Sequence, residues 1–323
     1  MRAARLASLR DLPILDPDDV ARAAPYGDLV DALADGHRRP EPLSRRTVFG
    51  PDGTGQSFLG LPAWRPGEAL GVKLVTVFPD NPAAGRPSVQ AVYVLFDGTN
   101  GDPVALLDGT ELTYRKTAAD SALGARFLAR HDAATLLMVG AGGLAPHLVA
   151  AHRTVRPSIE RVLVWNRTAT RAVEVAASVG GVAVTDLDAA IAEADVISTA
   201  TMSKDPLVAG RLVRPGTHLD LVGAFLPDHR EVDDEAVTRA ELYVDDRAAT
   251  LSEDGDLVIP LEAGLITTAD VRGDLWQLCR DEVPGRSDDD AITLFENGGG
   301  GHLDLMVAQV VWSAHQRQVG SAP

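Results

Sequence analysis

The chain has 323 residues, 45% of them hydrophobic, with 30 Lys and Arg against 46 Asp and Glu and a formal charge of −16. That length exceeds one ordinary core and suits two domains, while the acidic surface argues against nucleic acid and anionic membranes as partners. One cysteine, Cys279, permits no intrachain disulfide, and neither the opening MRAARLASLRDLPILDPDD nor any later segment has the apolar run of a signal peptide or membrane span, so a cytoplasmic location is expected.

Residues 12 to 40 read as a short strand and then two helical stretches, DPDDVARAA and YGDLVDALADGHRR, with their apolar positions on one face. The period then changes. RTVFG, QSFLGLPAW, ALGVKLVTVF, SVQAVYVLFD and PVALLDG are short runs rich in Val, Leu, Phe and Thr between Gly, Pro, Asn and Asp, which predicts a mostly antiparallel sheet. TAADSALGARFLARH begins a helix at Thr117. Beyond it strand-like and helix-like runs alternate, from TLLMVGAG and APHLVAAHRTV through ERVLVWN, ATRAVEVAASVG, VAVT, LDAAIAEA, DVISTAT and THLDLVG to DDEAVTRA and ELYVDD. Such alternation implies βα units on a parallel sheet, so the fold class is α/β. After the glycines of residues 298–301, the amphipathic segment HLDLMVAQVVWSAHQRQ is expected to return to the first domain.

Two stretches carry chemistry. In LGVKLVTVFP, residues 70–79, Lys73 is the single charge on an otherwise apolar strand. Either the strand is an edge whose lysine reaches solvent along its stem, or a partner neutralises an ammonium that is otherwise unfavourable out of water. In TLLMVGAGGLAPHL, Gly140, Gly142 and Ala145 form G-x-G-x-x-A between a strand and a helix, with Gly143 and Leu144 completing the loop. The first glycine allows the tight turn, the second lets a pyrophosphate approach the backbone, and the alanine lets helix and strand pack closely. The next strand ends in Trp165-Asn166-Arg167-Thr168, with no carboxylate to accept from a ribose 2′-hydroxyl. Asn166, Arg167 and Thr168 instead offer donors and a positive charge to a 2′-phosphate, so NADPH is expected over NADH. The eight histidines show no paired metal-ligand spacing, and no metal is assigned.

GVKLVTVFP, LLDGTELT with KTAADSALGARFLA, VGAGGLA, VWNRT, ADVISTAT, VRPGTHLDLVGA and ELYVDDRAA, in this order, resemble the ornithine cyclodeaminase and μ-crystallin family over nearly the whole chain. The resemblance implies a homodimer with a Rossmann NAD(P)-binding domain over residues 118–301 and an α/β substrate-binding and dimerisation domain over 1–117 and 302–323. It places the family's strand lysine on Lys73, a preceding arginine on Arg46, and a third basic residue, normally arginine, on Lys116. It also implies that Thr199, Ala200, Thr201, Val222 and Gly223 line the dinucleotide together with the glycine-rich loop.

Two departures bear on the reaction. Cyclodeaminases and related alanine dehydrogenases carry an acidic GAD motif where this chain has Gly223-Ala224-Phe225, and Leu59 stands where cyclodeaminases hold the distal amine of ornithine. Pro227-Asp228-His229-Arg230-Glu231 and WNRT instead resemble the ketimine-reducing branch. The expected reaction is NADPH-dependent reduction of Δ1-pyrroline-2-carboxylate to L-proline, or of its six-membered homologue to L-pipecolate. Arg46 and Lys116 would hold the carboxylate, Lys73 would hold it and assist protonation, and Leu59 and Phe225 would line the space for ring methylenes. Gly298 is a candidate for backbone contact with substrate, and Ser88 and Gln90 are candidates for side-chain contact. Two alternatives stay open: a cyclodeaminase or amino-acid dehydrogenase using Asp228 or Glu296 in place of the missing carboxylate, and a cofactor-dependent binding protein without turnover.

Overall fold

A computed structural model describes residues 9–224 and 226–320. The chain divides into two units, Met1–Lys116 with Gly300–Pro323, and Thr117–Gly299. Among the described residues no helix is long and apolar enough to cross a membrane.

The first unit opens with β1 (Ile14–Leu15) and α1 (Pro17–Ala23), whose start is fixed by reciprocal hydrogen bonds between Asp16 and Asp19. In α2 (Tyr26–Arg38) the apolar face buries Leu29, Val30 and Leu33. β2 (Leu43–Ser44), β3 (Thr47–Phe49), β4 (Ser57–Arg65), β5 (Ala69–Val77), β6 (Val89–Asp97) and β7 (Pro103–Asp108) follow. With β1 they form a seven-stranded sheet in the order β1-β7-β6-β5-β4-β2, with β3 beside β4. The pairings are antiparallel except that of β1 with β7. β5 is therefore an inner strand, and the edge-strand explanation of Lys73 does not hold.

α3 (Gly109–Leu128) begins eight residues before Thr117. The Asp108 carboxylate accepts from the Glu111 N–H at 2.7 Å and so caps the helix at the end of β7, which overrides the expected start.

The second unit is an eight-stranded, wholly parallel sheet. In chain order it comprises β8 (Thr135–Val139), α4 (Ala145–Val155), β9 (Arg161–Trp165), α5 (Ala169–Val179), β10 (Val182–Ala183), α6 (Leu187–Glu193), β11 (Val196–Thr199) and β12 (His218–Leu221). Then come α7 (Asp234–Arg239), β13 (Glu241–Val244), α8 (Arg247–Glu253), α9 (Gly255–Glu262), β14 (Val271–Asp274), α10 (Leu275–Cys279) and β15 (Thr293–Glu296). The strand order β10-β9-β8-β11-β12-β15-β13-β14 reverses between β8 and β11, and in such sheets the ligand crevice lies at the carboxyl ends of the strands at that switch point. α4 is tied to the sheet by His152, whose Nε2 lies 2.9 Å from Asp220 Oδ2 in β12.

The last helix, α11 (Gly301–Gly320), belongs to the first unit and packs on α2, β4 and β5.

Candidate active site

Lys73 lies near the middle of β5, opposite Leu61 of β4 and Tyr93 of β6. Side chains alternate along a strand, so Leu59, paired with Val75, shares the Lys73 face. That face is covered by α11. Lys73 is 5% exposed and its Nζ donates to Asp304 Oδ1 at 2.9 Å. The partner is thus a carboxylate of the protein itself, where the sequence reading looked only to a substrate carboxylate. Burial lowers the proton affinity of Lys73; Asp304 opposes this, whereas Lys116 and Arg46 lower it further. Lys116, in α3, is also buried, and Arg46, just ahead of β3, is exposed. The structure therefore brings together Lys73, Lys116, Arg46 and Leu59, and adds Asp304 and Tyr93. Gln90 pairs with Thr76 and so faces away from Lys73, and Ser88 precedes β6; neither joins the cluster.

In the second unit the loop after β8 has the form a dinucleotide needs. Gly140 has φ +116°, and a Cβ there would lie 2.5 Å from the Ala200 carbonyl oxygen, so only glycine fits. At Gly142 a Cβ would meet nothing within 4 Å, which leaves open space where a pyrophosphate would run. Gly143 follows, Leu144 is the N-cap of α4 without a side-chain cap, and Ala145 is fully buried at the first turn. Within that turn the Ala145 N–H donates to the Gly142 carbonyl, the His147 N–H donates to the Leu144 carbonyl, and Pro146 has no N–H, so an anion there would meet the glycine loop ahead of the helix. At the end of β9, Asn166 donates to the Thr168 carbonyl at 3.0 Å, while Arg167 and Thr168 are exposed.

Beyond β11 and β12 the organising residue is Glu231, fully buried. Its Oε2 accepts from the Thr199 hydroxyl at 2.6 Å and the Gly223 N–H at 2.7 Å, and its Oε1 accepts from the Thr201 hydroxyl and N–H at 2.6 Å each. The Val222 N–H donates to the Thr199 carbonyl, and a Cβ on Gly223 would lie 2.0 Å from the Thr201 carbonyl oxygen. The Thr199 and Thr201 hydroxyls are therefore engaged by the protein, so a ligand passing Ala200 or Gly223 would meet backbone. Burial raises the Glu231 carboxyl, and Asp256, which accepts from the Glu231 and Val232 N–H groups, is raised to about 7 by burial and by Glu231.

Gly298 is crowded: a Cβ would lie 2.4 Å from Asp254 Oδ2, a reason within the second unit for glycine there. Asp228 is paired with Lys204 at 2.6 Å and with His229 at 2.8 Å, and these contacts hold it down at about 2. Glu296 is buried at the end of β15 and raised by burial and by the neighbouring Asp256. Phe225 lies outside the described residues.

Residues 45–318 match the ornithine cyclodeaminase/mu-crystallin family. The chain belongs to this family. It is 45% identical over 291 residues to the Δ1-pyrroline-2-carboxylate reductase of Paracoccus denitrificans, covering 88% of this chain and 92% of that protein. The solved structure of Thermococcus litoralis Δ1-pyrroline-2-carboxylate reductase in complex with NADH and L-proline is similar at 28% identity and a TM-score of 0.90, covering 95% of this chain and 98% of that one. An archaeal alanine dehydrogenase dimer with bound NAD is similar at 26% identity and a TM-score of 0.88, covering 95% and 97%. The membership expected from GVKLVTVFP, VGAGGLA and their companions is thus borne out, as is the α/β class with a Rossmann-type parallel sheet.

Proposed function

We propose that the chain reduces Δ1-pyrroline-2-carboxylate to L-proline with NADPH, and that Δ1-piperideine-2-carboxylate, giving L-pipecolate, is a second substrate. The observation that carries the reading is the cluster around Lys73. The Lys73–Asp304 ion pair lies within reach of the charges of Lys116 and Arg46, and such a gathering of basic side chains suits an anionic substrate. The 45% identity to a protein named for this reaction supports it.

A reduced nicotinamide supplies a hydride to the C=N carbon. The ring nitrogen takes one proton, so imine, hydride and proton together make the amino acid. In this reading Arg46 and Lys116 hold the carboxylate, and Lys73 holds it and gives the proton to nitrogen. Leu59 bounds the ring methylenes, where a second ammonium would find an apolar side chain. Gly140, Gly142, Gly143, Leu144 and Ala145 cradle the pyrophosphate, and backbone at Ala200, Val222 and Gly223 lines the cofactor. Asn166, Arg167 and Thr168 face the 2′-phosphate.

Ornithine deamination through Asp228 is disfavoured because a carboxylate held at about 2 is a weak base near neutrality. We also infer a cytoplasmic homodimer with no nucleic-acid or membrane partner. The first unit's sheet supports the dimer, since the face away from Lys73 exposes Phe58, Trp64 and Val92.

The test is NADPH consumption with Δ1-pyrroline-2-carboxylate, beside ornithine alone and pyruvate with ammonia. Turnover is expected with the cyclic imine, a lower KM for NADPH than for NADH, and loss of turnover in Lys73→Ala with NADPH binding retained. Ammonia release from ornithine without imine reduction would replace the reading, and an active Lys73→Ala would remove that lysine from the mechanism.

A further inference from the structure

The counter-ion of Lys73 sits in the first turn of α11. Asp304 is wholly buried, and while its Oδ1 accepts from Lys73, its Oδ2 has no hydrogen-bond partner among the described residues. The Tyr93 hydroxyl, on the strand beside Lys73, likewise has none. The charged and titratable groups acting on this lysine are Asp304 from α11, Lys116 from α3 and Arg46 ahead of β3, with Tyr93 facing it from β6 and β4 presenting only Leu61.

As a stabilising device this arrangement is poor. Replacing a buried ion pair by apolar residues of similar volume is often neutral or favourable, and a carboxylate left with one oxygen unbonded is worse than a fully satisfied one. As a device for keeping a proton it is well built. Burial, Lys116 and Arg46 all lower the proton affinity of an ammonium at this place, and Asp304 raises it.

We propose that Asp304 is a positioning residue for imine reduction, holding Lys73 as the ammonium and fixing the direction of its other N–H bonds toward carboxylate and imine nitrogen. The inference rests on the imine-reductase reading. When Lys73 gives its proton to the nitrogen, the pair is left as a neutral amine beside a carboxylate, and Asp304 then favours uptake of a replacement proton from solvent.

The experiment compares wild type with Asp304→Asn, as purified full-length protein, in the pH dependence of kcat/KM for Δ1-pyrroline-2-carboxylate. The alkaline limb is expected to move to lower pH by about 1–3 units in the variant, with NADPH affinity unchanged. Binding of pyrrole-2-carboxylate, a planar carboxylate that cannot be reduced, should show the same displaced limb without any turnover. Asp304→Glu keeps the charge and moves it by one methylene, so its limb should stay in place while kcat falls, and it carries the test should the Asn variant not fold. A limb unmoved in folded Asp304→Asn, or displaced in Asp304→Glu, would overturn the role of Asp304 and leave the function intact. A wild type that does not reduce the imine would defeat the reductase reading itself.

Discussion

In the proposed site Lys116 takes the carboxylate contact that an arginine fork would make through two parallel hydrogen bonds, and its ammonium offers only a point charge. Lys116→Arg is expected to lower KM for the imine with little change in kcat. Lys116→Ala removes a charged contact worth about 1.5–3 kcal/mol, which corresponds to a rise in KM of roughly 10- to 150-fold at unchanged NADPH affinity, measured by steady-state kinetics and cofactor titration. Asp256 allows a test of stability. Burial and Glu231 raise its carboxyl to about 7, so the folded protein keeps a proton that the unfolded chain loses near its ordinary value. The stability this contributes is complete at low pH and is lost as pH rises through about 7. Asp256→Asn keeps an oxygen to accept from the Glu231 and Val232 N–H groups and cannot ionise. Its melting temperature relative to wild type should rise by several degrees between pH 5 and pH 8; equal offsets at both pH values would refute the shift. At this scale Lys73 was legible in the sequence because one charge broke an apolar strand. Asp304 was not, because 231 residues separate it from Lys73 and HLDLMVAQ reads as an ordinary helix face.

Among the elements, the turn between β8 and α4 makes a paired prediction. Gly140 is held at φ +116° with the Ala200 carbonyl against it, so Gly140→Ala strains the backbone by about 1–3 kcal/mol and must push two strand ends apart. Gly142 has empty space on its Cβ side, and Gly142→Ala should leave the melting temperature within about 2 °C of wild type. Both should weaken NADPH binding, the first by disturbing the loop and the second by filling the path of the pyrophosphate. Calorimetric titration with thermal melts checks this, and full NADPH affinity in Gly142→Ala would remove that path. The strands β3 to β9 and the helix after the glycine loop were legible because alternation, glycine punctuation and helical spacing agreed there. Helices α8, α9 and α10 and strands β14 and β15 were not. β14 and β15 are four residues each, α10 is five, and Pro260 inside α9 argues against a helix on local rules. The start of α3 was missed for a related reason: the cap is Asp108, the last residue of a strand, so strand and helix share a boundary with no turn between them.

For the whole molecule, the acidic charge of −16 and the basic cluster at Lys73 coexist because a few buried cations dominate the field at short range, while exposed charges are screened beyond about 10 Å. The sheet of the first unit has two unlike faces. One carries Lys73, Leu59 and Tyr93 beneath α11. The other carries the residues between them in sequence, and it leaves Ile14 at 72%, Phe58 at 44%, Trp64 at 45% and Val92 at 38% exposure. Fully burying each such side chain is worth about 1.5–3 kcal/mol, so a patch of this kind is retained in water only where something covers it. A two-fold axis across the face would set each patch against its own copy, and a single substitution would then enter the interface twice. Val92→Asp, in an inner strand of that face, is accordingly expected to convert a dimer to a monomer at micromolar concentration in light scattering, with its carboxylate free in water in the separated chain. Its far-ultraviolet spectrum should stay that of wild type, because Val92 points away from the core that Tyr93 and Leu95 fill. A wild type of monomer mass, or a Val92→Asp variant that keeps the dimer mass, would exclude this face as the interface.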